Sequence, residues 1–253
     1  MLHSKQYGLH GDPIIIIHGL FGNSDNWHSI AQPLSEHFQV HCLDLPNHGK
    51  SAPLTDASYH NMARLLQQWM LSKGIEQAYV LGHSMGGKVA MEFACLFPNL
   101  VKKLIIADIA PVDYPESHSQ IFKGLLSIPV KSLKNRQQAD RLLADYEDNI
   151  GVRLFLLKNL KKQETGFSWE IALDNLYANY PHILSKPTLE QPFTGATLFI
   201  KGGLSDYIQA AHKETILTYF PQAKVKIIAG AGHWLHAEKP TPFVSLVRRF
   251  CTA

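Results

Sequence analysis

The stretch Ala78-Tyr79-Val80-Leu81-Gly82-His83-Ser84-Met85-Gly86-Gly87-Lys88 decides how this 253-residue chain is read. Its first four residues form a strand-like apolar run, and Lys88–Phe97 beyond it carries a helical pattern. Between them lies Gly-x-Ser-x-Gly in a strand–turn–helix setting. Such a turn holds its serine at strained backbone angles and leaves almost no room for side chains two residues to either side. Gly82 and Gly86 meet that demand, and Gly87 lets the following helix approach the sheet. The helix N-terminus also brings a positive dipole end beneath the serine. A glycine-rich turn with an incidental serine is the plainer reading, and the flanking strand and helix set it aside.

Working outward, short apolar runs recur at Ile14–Ile17, Val40–Leu45, Leu104–Ala107, Thr197–Ile200 and Val225–Ile228. A continuous apolar run suits a strand buried on both faces of a parallel sheet. Helical stretches lie between the first few, as in Tyr59–Lys73, where Met62, Leu65, Leu66, Trp69 and Met70 share one stripe. This alternation predicts an α/β protein with a doubly wound, mostly parallel sheet. The rhythm stops between about Asp113 and Pro192, where Arg141–Tyr146 and Arg153–Lys161 read as helices and no strand is expected. Residues 1–112 and 193–253 are therefore expected to form the core, and 113–192 a helical cap inserted between strands and set over the ligand crevice.

Composition narrows the classes. Hydrophobic residues make up 45% and charged residues 18%, which fits a globular chain. Lys+Arg 24 against Asp+Glu 21 leaves +3, too mild for a nucleic-acid face. The longest aliphatic block, Ile14–Ile17, is far short of a membrane span. The opening residues show no apolar leader, and Cys42, Cys95 and Cys251 lack metal-ligand spacing and read as reduced core thiols. A cytoplasmic protein is expected. Oligomeric state is silent.

A serine nucleophile needs a base, and the base needs an acid to orient it. His233, in Gly230-Ala231-Gly232-His233-Trp234-Leu235-His236, follows the last strand-like run and stands after Ser84, the chain order of this kind of hydrolase. His236 reads as packing or as a supporting hydrogen bond. An oxyanion hole needs two N–H groups. Met85 would give one, and Leu20 in His18-Gly19-Leu20-Phe21-Gly22 the other, with Phe21 as its neighbour. Asp44 in DLPNHGKS reads as a structural turn residue. A metal site built from His18, His48, His83 and His233 lacks helical i,i+4 spacing, so neither metal nor organic cofactor is expected.

HGLFG, DLPNHGKS, GHSMGG and GAGHWLHAEKP, in this order, resemble the α/β-hydrolase superfamily, and more narrowly its YbfF-like esterases with their abhydrolase-domain relatives. The resemblance spans nearly the whole chain and is weakest over the insertion. It implies a cofactor-free serine esterase, keyed to short or medium acyl groups, with a small-molecule acyl ester or an acyl-CoA as substrate and acyl-CoA thioesterase as the alternative. Haloalkane dehalogenases and epoxide hydrolases of the same fold place aspartate where Ser84 stands. A haloperoxidase-like oxidation or a non-enzymatic ligand receptor are the remaining readings.

Two residues compete for the acid. Asp206 follows Thr197–Ile200, the usual superfamily position, and Asp108 ends Leu104–Ala107. Both lie between Ser84 and His233. Asp108 sits in an apolar run, where a carboxylate demands a partner, and the YbfF-like branch often keeps that position while lacking the other. The balance favours Asp108. For substrate contact, the expected cap residues are Phe122 and Phe155, among Leu125, Leu126 and Leu156, and Tyr207 and Trp234 are expected to join them.

Overall fold

The computed structural model describes residues 2–253. Its main sheet takes β1 (Ser4–Tyr7), β2 (Pro13–Ile17), β3 (Gln39–Leu43), β4 (Ala78–His83), β5 (Val101–Ala107), then β8 (Thr197–Gly202) and β9 (Ala223–Ile228). A separate ribbon pairs β6 (Leu160–Lys162) with β7 (Phe167–Trp169). The order across the main sheet is β1-β3-β2-β4-β5-β8-β9, parallel throughout except where β1 runs antiparallel to β3.

Both faces of this sheet are covered. Ile15 and Ile17 of β2 meet α2 (Tyr59–Ser72) and α3 (Met85–Leu96), which supply Met62, Leu66, Val89 and Phe93. Ile14 and Ile16 point the other way, toward α1 (His28–Leu34) and α11 (Pro240–Thr252), which supply Ile30, Leu34, Phe243 and Val247. The period of two in a strand turns alternate isoleucines to opposite cores, so all four are lost from solvent.

The connections fix where a ligand can bind. From β2 the chain crosses to β3 on one side, then returns to β4 on the other, so the order reverses between β2 and β4. Loops leaving a parallel sheet at such a reversal diverge and open a crevice at the strand C-termini. Here the loop after β2 begins His18-Gly19-Leu20 and the turn after β4 carries Ser84; Ile17 and Gly82 are paired neighbours in the sheet.

The segment between β5 and β8 contains α4 (Ser119–Ser127), α5 (Arg136–Leu143), α6 (Ile150–Leu156), α7 (Leu173–Ala178) and α8 (Tyr180–Leu184). It has its own apolar cluster, in which Ile121, Leu125, Leu143, Leu156, Leu160 and Leu176 pack together. The expectation of a strand-free insertion is corrected by the β6–β7 ribbon. Each of its strands is only three residues long, too short to display an alternation. Helix limits also move: Asn135 and Asn149 cap the starts of α5 and α6, so both begin before the apolar residues that mark them. β1 carries no apolar run, because its four residues lie half-buried or exposed at the sheet edge. α9 (Lys213–Tyr219) and α10 (Leu235–Glu238) complete the chain.

The turn after β4 works only because backbones touch. A Cβ on Gly86 would lie 2.3 Å from the His18 carbonyl oxygen and 2.6 Å from that of Ile17. Gly86→Ala is therefore expected to cost about 1–3 kcal/mol by overpacking, read as a lowered urea midpoint. An unchanged midpoint would contradict the close approach of α3 to β2.

Candidate active site

Ser84 has φ 52° and ψ −122°, a conformation that costs a non-glycine residue free energy. The surroundings enforce it. Ser84 N–H donates to Ala107 O at 3.0 Å, Gly87 N–H returns to Ser84 O at 2.8 Å, and a Cβ on Gly82 would stand 2.2 Å from Gly86 O. The side chain is thereby lifted out of the sheet at the head of α3.

His233 meets it. Its Nε2 lies 3.0 Å from Ser84 Oγ, and its Nδ1–H donates to Asp108 Oδ2 at 2.8 Å. Asp108 is wholly buried, has φ 51°, and ends β5. The same carboxylate accepts Gly202 N–H at 2.9 Å and a short hydrogen bond from Ser205 Oγ. A buried carboxylate is costly unless donors replace its lost water. It has one backbone donor, one hydroxyl and one imidazole.

Asp206 is not part of this group. It is an exposed turn residue, and its backbone carbonyl accepts Gln209 Nε2. Among the described residues it makes no hydrogen bond or ion pair with His233, whose Nδ1 is taken by Asp108, which corrects its candidacy as the acid. Ser205, its neighbour, faces inward instead, and nothing in the local sequence distinguishes the two orientations.

Other histidines surround this group without bonding to Ser84 or Asp108. His83 Nε2–H donates to His233 O at 2.8 Å and so fixes the loop that carries His233. Burial, with His236 and His233 nearby, drives the His83 pKa well below its usual value and keeps the ring neutral. His236 stacks on Trp27, centroids 4.3 Å apart, and burial lowers its pKa to about 3. It packs. His48 is pulled down to about 3 by burial and by His18, so its Nδ1–H donates to Pro46 O while Nε2 accepts Phe21 N–H at 3.2 Å. His18 likewise donates to Gly19 O and accepts Leu45 N–H. Among the described residues no group of three or more His, Cys, Asp or Glu is arranged to hold a metal ion.

The two loops that flank Ser84 offer free N–H groups. Phe21 N–H is committed to His48, which leaves Leu20 N–H, without a partner among the described residues. A Cβ on Gly19 would come within 3.2 Å of Ser84 Cβ, so this loop abuts the serine. Met85 opens α3, where the first N–H groups have no intrahelical acceptor.

A cavity of about 300 Å³ opens over Ser84 and reaches under the β5–β8 segment. Phe155, Tyr207 and Trp234 line it, and Tyr207 stacks on His233 at 3.8 Å between centroids. Phe122 does not line it. That side chain is fully buried inside the cap, 5.0 Å from both the Phe21 and Tyr180 ring centres, so the expectation of substrate contact is corrected. Leu125 is buried in the same cluster, and Leu126 faces solvent. The sequence marks these as apolar residues of the insertion without saying which face inward. Ile121, Ile183 and Leu184 line the cavity and were not foreseen.

Comparison with known proteins agrees with this geometry. Residues 12–133 match the family described as the alpha/beta hydrolase fold. The sn-1-specific diacylglycerol lipase ABHD11 of Mus musculus is 38% identical, the match covering 94% of this chain and 80% of that protein. Esterase YbfF of Escherichia coli is 36% identical over 94% of this chain and 92% of its own. A solved structure of a marine microorganism esterase superposes with TM-score 0.96 at 42% identity, covering 98% of both chains.

Replacing Asp108 with Asn keeps its shape but removes the charge that orients Nδ1–H of His233. A loss of kcat by about 10³–10⁴-fold is expected from the wrong tautomer. Asp206→Asn should cost less than about threefold, as expected for an exposed side chain. Steady-state kinetics on one ester would read both, and a large loss at Asp206 would contradict the assignment.

Proposed function

The chain belongs to the α/β-hydrolase fold family and is a hydrolase, and we propose that it cleaves carboxylic esters through an acyl–Ser84 intermediate. One observation carries this reading: the unbroken line from Ser84 Oγ through His233 to Asp108, open to a cavity at one end and buried at the other. In it Ser84 is the nucleophile, His233 the general base and acid, and Asp108 the orienting carboxylate.

Ser84 Oγ attacks the ester carbonyl carbon as its proton passes to His233 Nε2. The carbonyl oxygen becomes an oxyanion, which takes hydrogen bonds from Leu20 N–H and Met85 N–H. The imidazolium is stabilised by Asp108 while it forms. It then gives its proton to the leaving alkoxide, the tetrahedral centre collapses, and the alcohol departs from acyl-Ser84. A water molecule repeats the sequence: His233 takes its proton, hydroxide adds to the acyl carbon, and the proton returns to Ser84 as the carboxylic acid leaves.

The substrate side rests on the apolar lining. Phe155, Leu156, Ile121 and Ile183 suit a short or medium acyl group, while Tyr207 and Trp234 border the base. Oxygen esters are placed ahead of acyl-CoA thioesters, because relatives are named a diacylglycerol lipase and an esterase and neither is named a thioesterase.

Ser84→Ala tests the mechanism. Hydrolysis of a p-nitrophenyl ester should fall by several powers of ten, since the tyrosines and histidines around the cavity cannot replace the nucleophile. Activity within tenfold of the parent would overturn it. Phe155→Ala tests the cavity: preference among acyl lengths should shift by about 1–3 kcal/mol. Phe122→Ala should instead cost about 3–5 kcal/mol of stability and leave that preference in place.

A further inference from the structure

Lys88 is a buried cation that the reaction does not use. It lies one turn after Ser84 on α3, is 2% exposed, and has no carboxylate oxygen within 4 Å among the described residues. Burial lowers its pKa to about 7, with Asp113 working in the opposite direction. An ammonium in such a place needs strong compensation.

The compensation comes from one segment of chain. Lys88 Nζ donates to Ile183 O at 3.4 Å, Leu184 O at 3.0 Å and Ser185 O at 2.6 Å. These carbonyls end α8, where the last turn leaves acceptors unpaired and the helix dipole is negative. The rings of Tyr59 and Tyr114 flank the ammonium at 5.7 and 4.9 Å. Tyr59 OH donates to Ile183 O at 2.6 Å as well.

The same strap is held further along. Tyr114 N–H donates to Leu184 O, Asp113 Oδ1 accepts Lys186 N–H at 2.7 Å, and Glu92 Oε2 accepts Thr188 N–H at 2.6 Å. Glu92 is one turn beyond Lys88, so two buried ionisable side chains on α3 grip the chain as it returns from the cap to β8. Ile183 and Leu184, the residues gripped by Lys88, form part of the cavity wall.

We propose that Lys88 is a positioning residue that sets the Ile183–Leu184 wall at a fixed distance from Ser84 and thereby sets how long a substrate chain the cavity accepts. Loss of the ammonium leaves Ser185 O without a donor among the described residues and Ile183 O and Leu184 O held only by Tyr59 OH and Tyr114 N–H, and the wall moves away from the position that α3 now dictates. The inference rests on Ser84 being the nucleophile.

Lys88→Met keeps the length of the side chain and removes its donors. The folded fraction is normalised by titrating active sites with a fluorophosphonate. kcat/KM is then measured for acetate and hexanoate p-nitrophenyl esters, and for ethyl and hexyl acetates. A merely structural role would lower the titrated fraction and scale every substrate alike. The expected result is a change of threefold or more in the long-to-short ratio of at least one series, carried by KM. Ratios within threefold of the parent in both series overturn the proposal. If Lys88→Met yields no folded protein, Tyr59→Phe removes the other donor to Ile183 O, and a change of twofold or more is then required. Ser84→Ala is run beside them: activity retained there defeats the esterase reading, whereas activity lost there with unchanged ratios defeats only the role of Lys88.

Discussion

Asp108 is the charge around which the C-terminal third of the chain is arranged. It ends a central strand with no access to water, so its partners must come from protein. They come from three places in sequence: Gly202 at the end of β8, Ser205 in the loop after it, and His233 after β9. Truncating one partner of such a buried network leaves the others unpaired, which is more costly than the single contact suggests. Stability and chemistry therefore draw on the same contacts. The loop that must place an imidazole beside Ser84 is the loop that the carboxylate needs for its own solvation.

A second constraint runs through the neutral histidines. His18, His48, His83 and His236 are all depressed by burial, and the first three each spend a ring N–H on a backbone carbonyl. In the neutral state the remaining nitrogen can accept, which is how His48 holds Phe21 N–H and His18 holds Leu45 N–H. These rings fix loop geometry around Ser84 while adding no positive charge beside His233. The cap touches the same loop: Asn159 Nδ2 donates to Phe21 O at 2.8 Å.

Much of this was legible in the residues. The apolar runs and the helical stripe gave the parallel sheet, because strands covered on both faces cannot alternate. GHSMGG, set between a strand-like run and a helical one, marked the turn at Ser84, and the partner requirement of a buried carboxylate together with the family resemblance leaned toward Asp108 over Asp206. What stayed hidden depends on facing and on distance along the chain. Phe122 and Phe155 look alike in sequence, yet one fills the cap interior and the other lines the cavity. Ser205 and Asp206 are adjacent, and a turn decides which points inward. The β6–β7 ribbon is too short for periodicity to reveal, and the strap from α8 that lies over Lys88 joins residues about a hundred positions apart.

The central claim is that Ser84 becomes acylated, and trapping the adduct tests it most directly. The protein is mixed with an activated ester, quenched in acid within milliseconds, and weighed intact before proteolytic mapping. A mass increase of one acyl group, confined to the peptide that carries Ser84 and absent after full turnover, is the predicted result. Turnover with no adduct, or an adduct on any other residue, would contradict it.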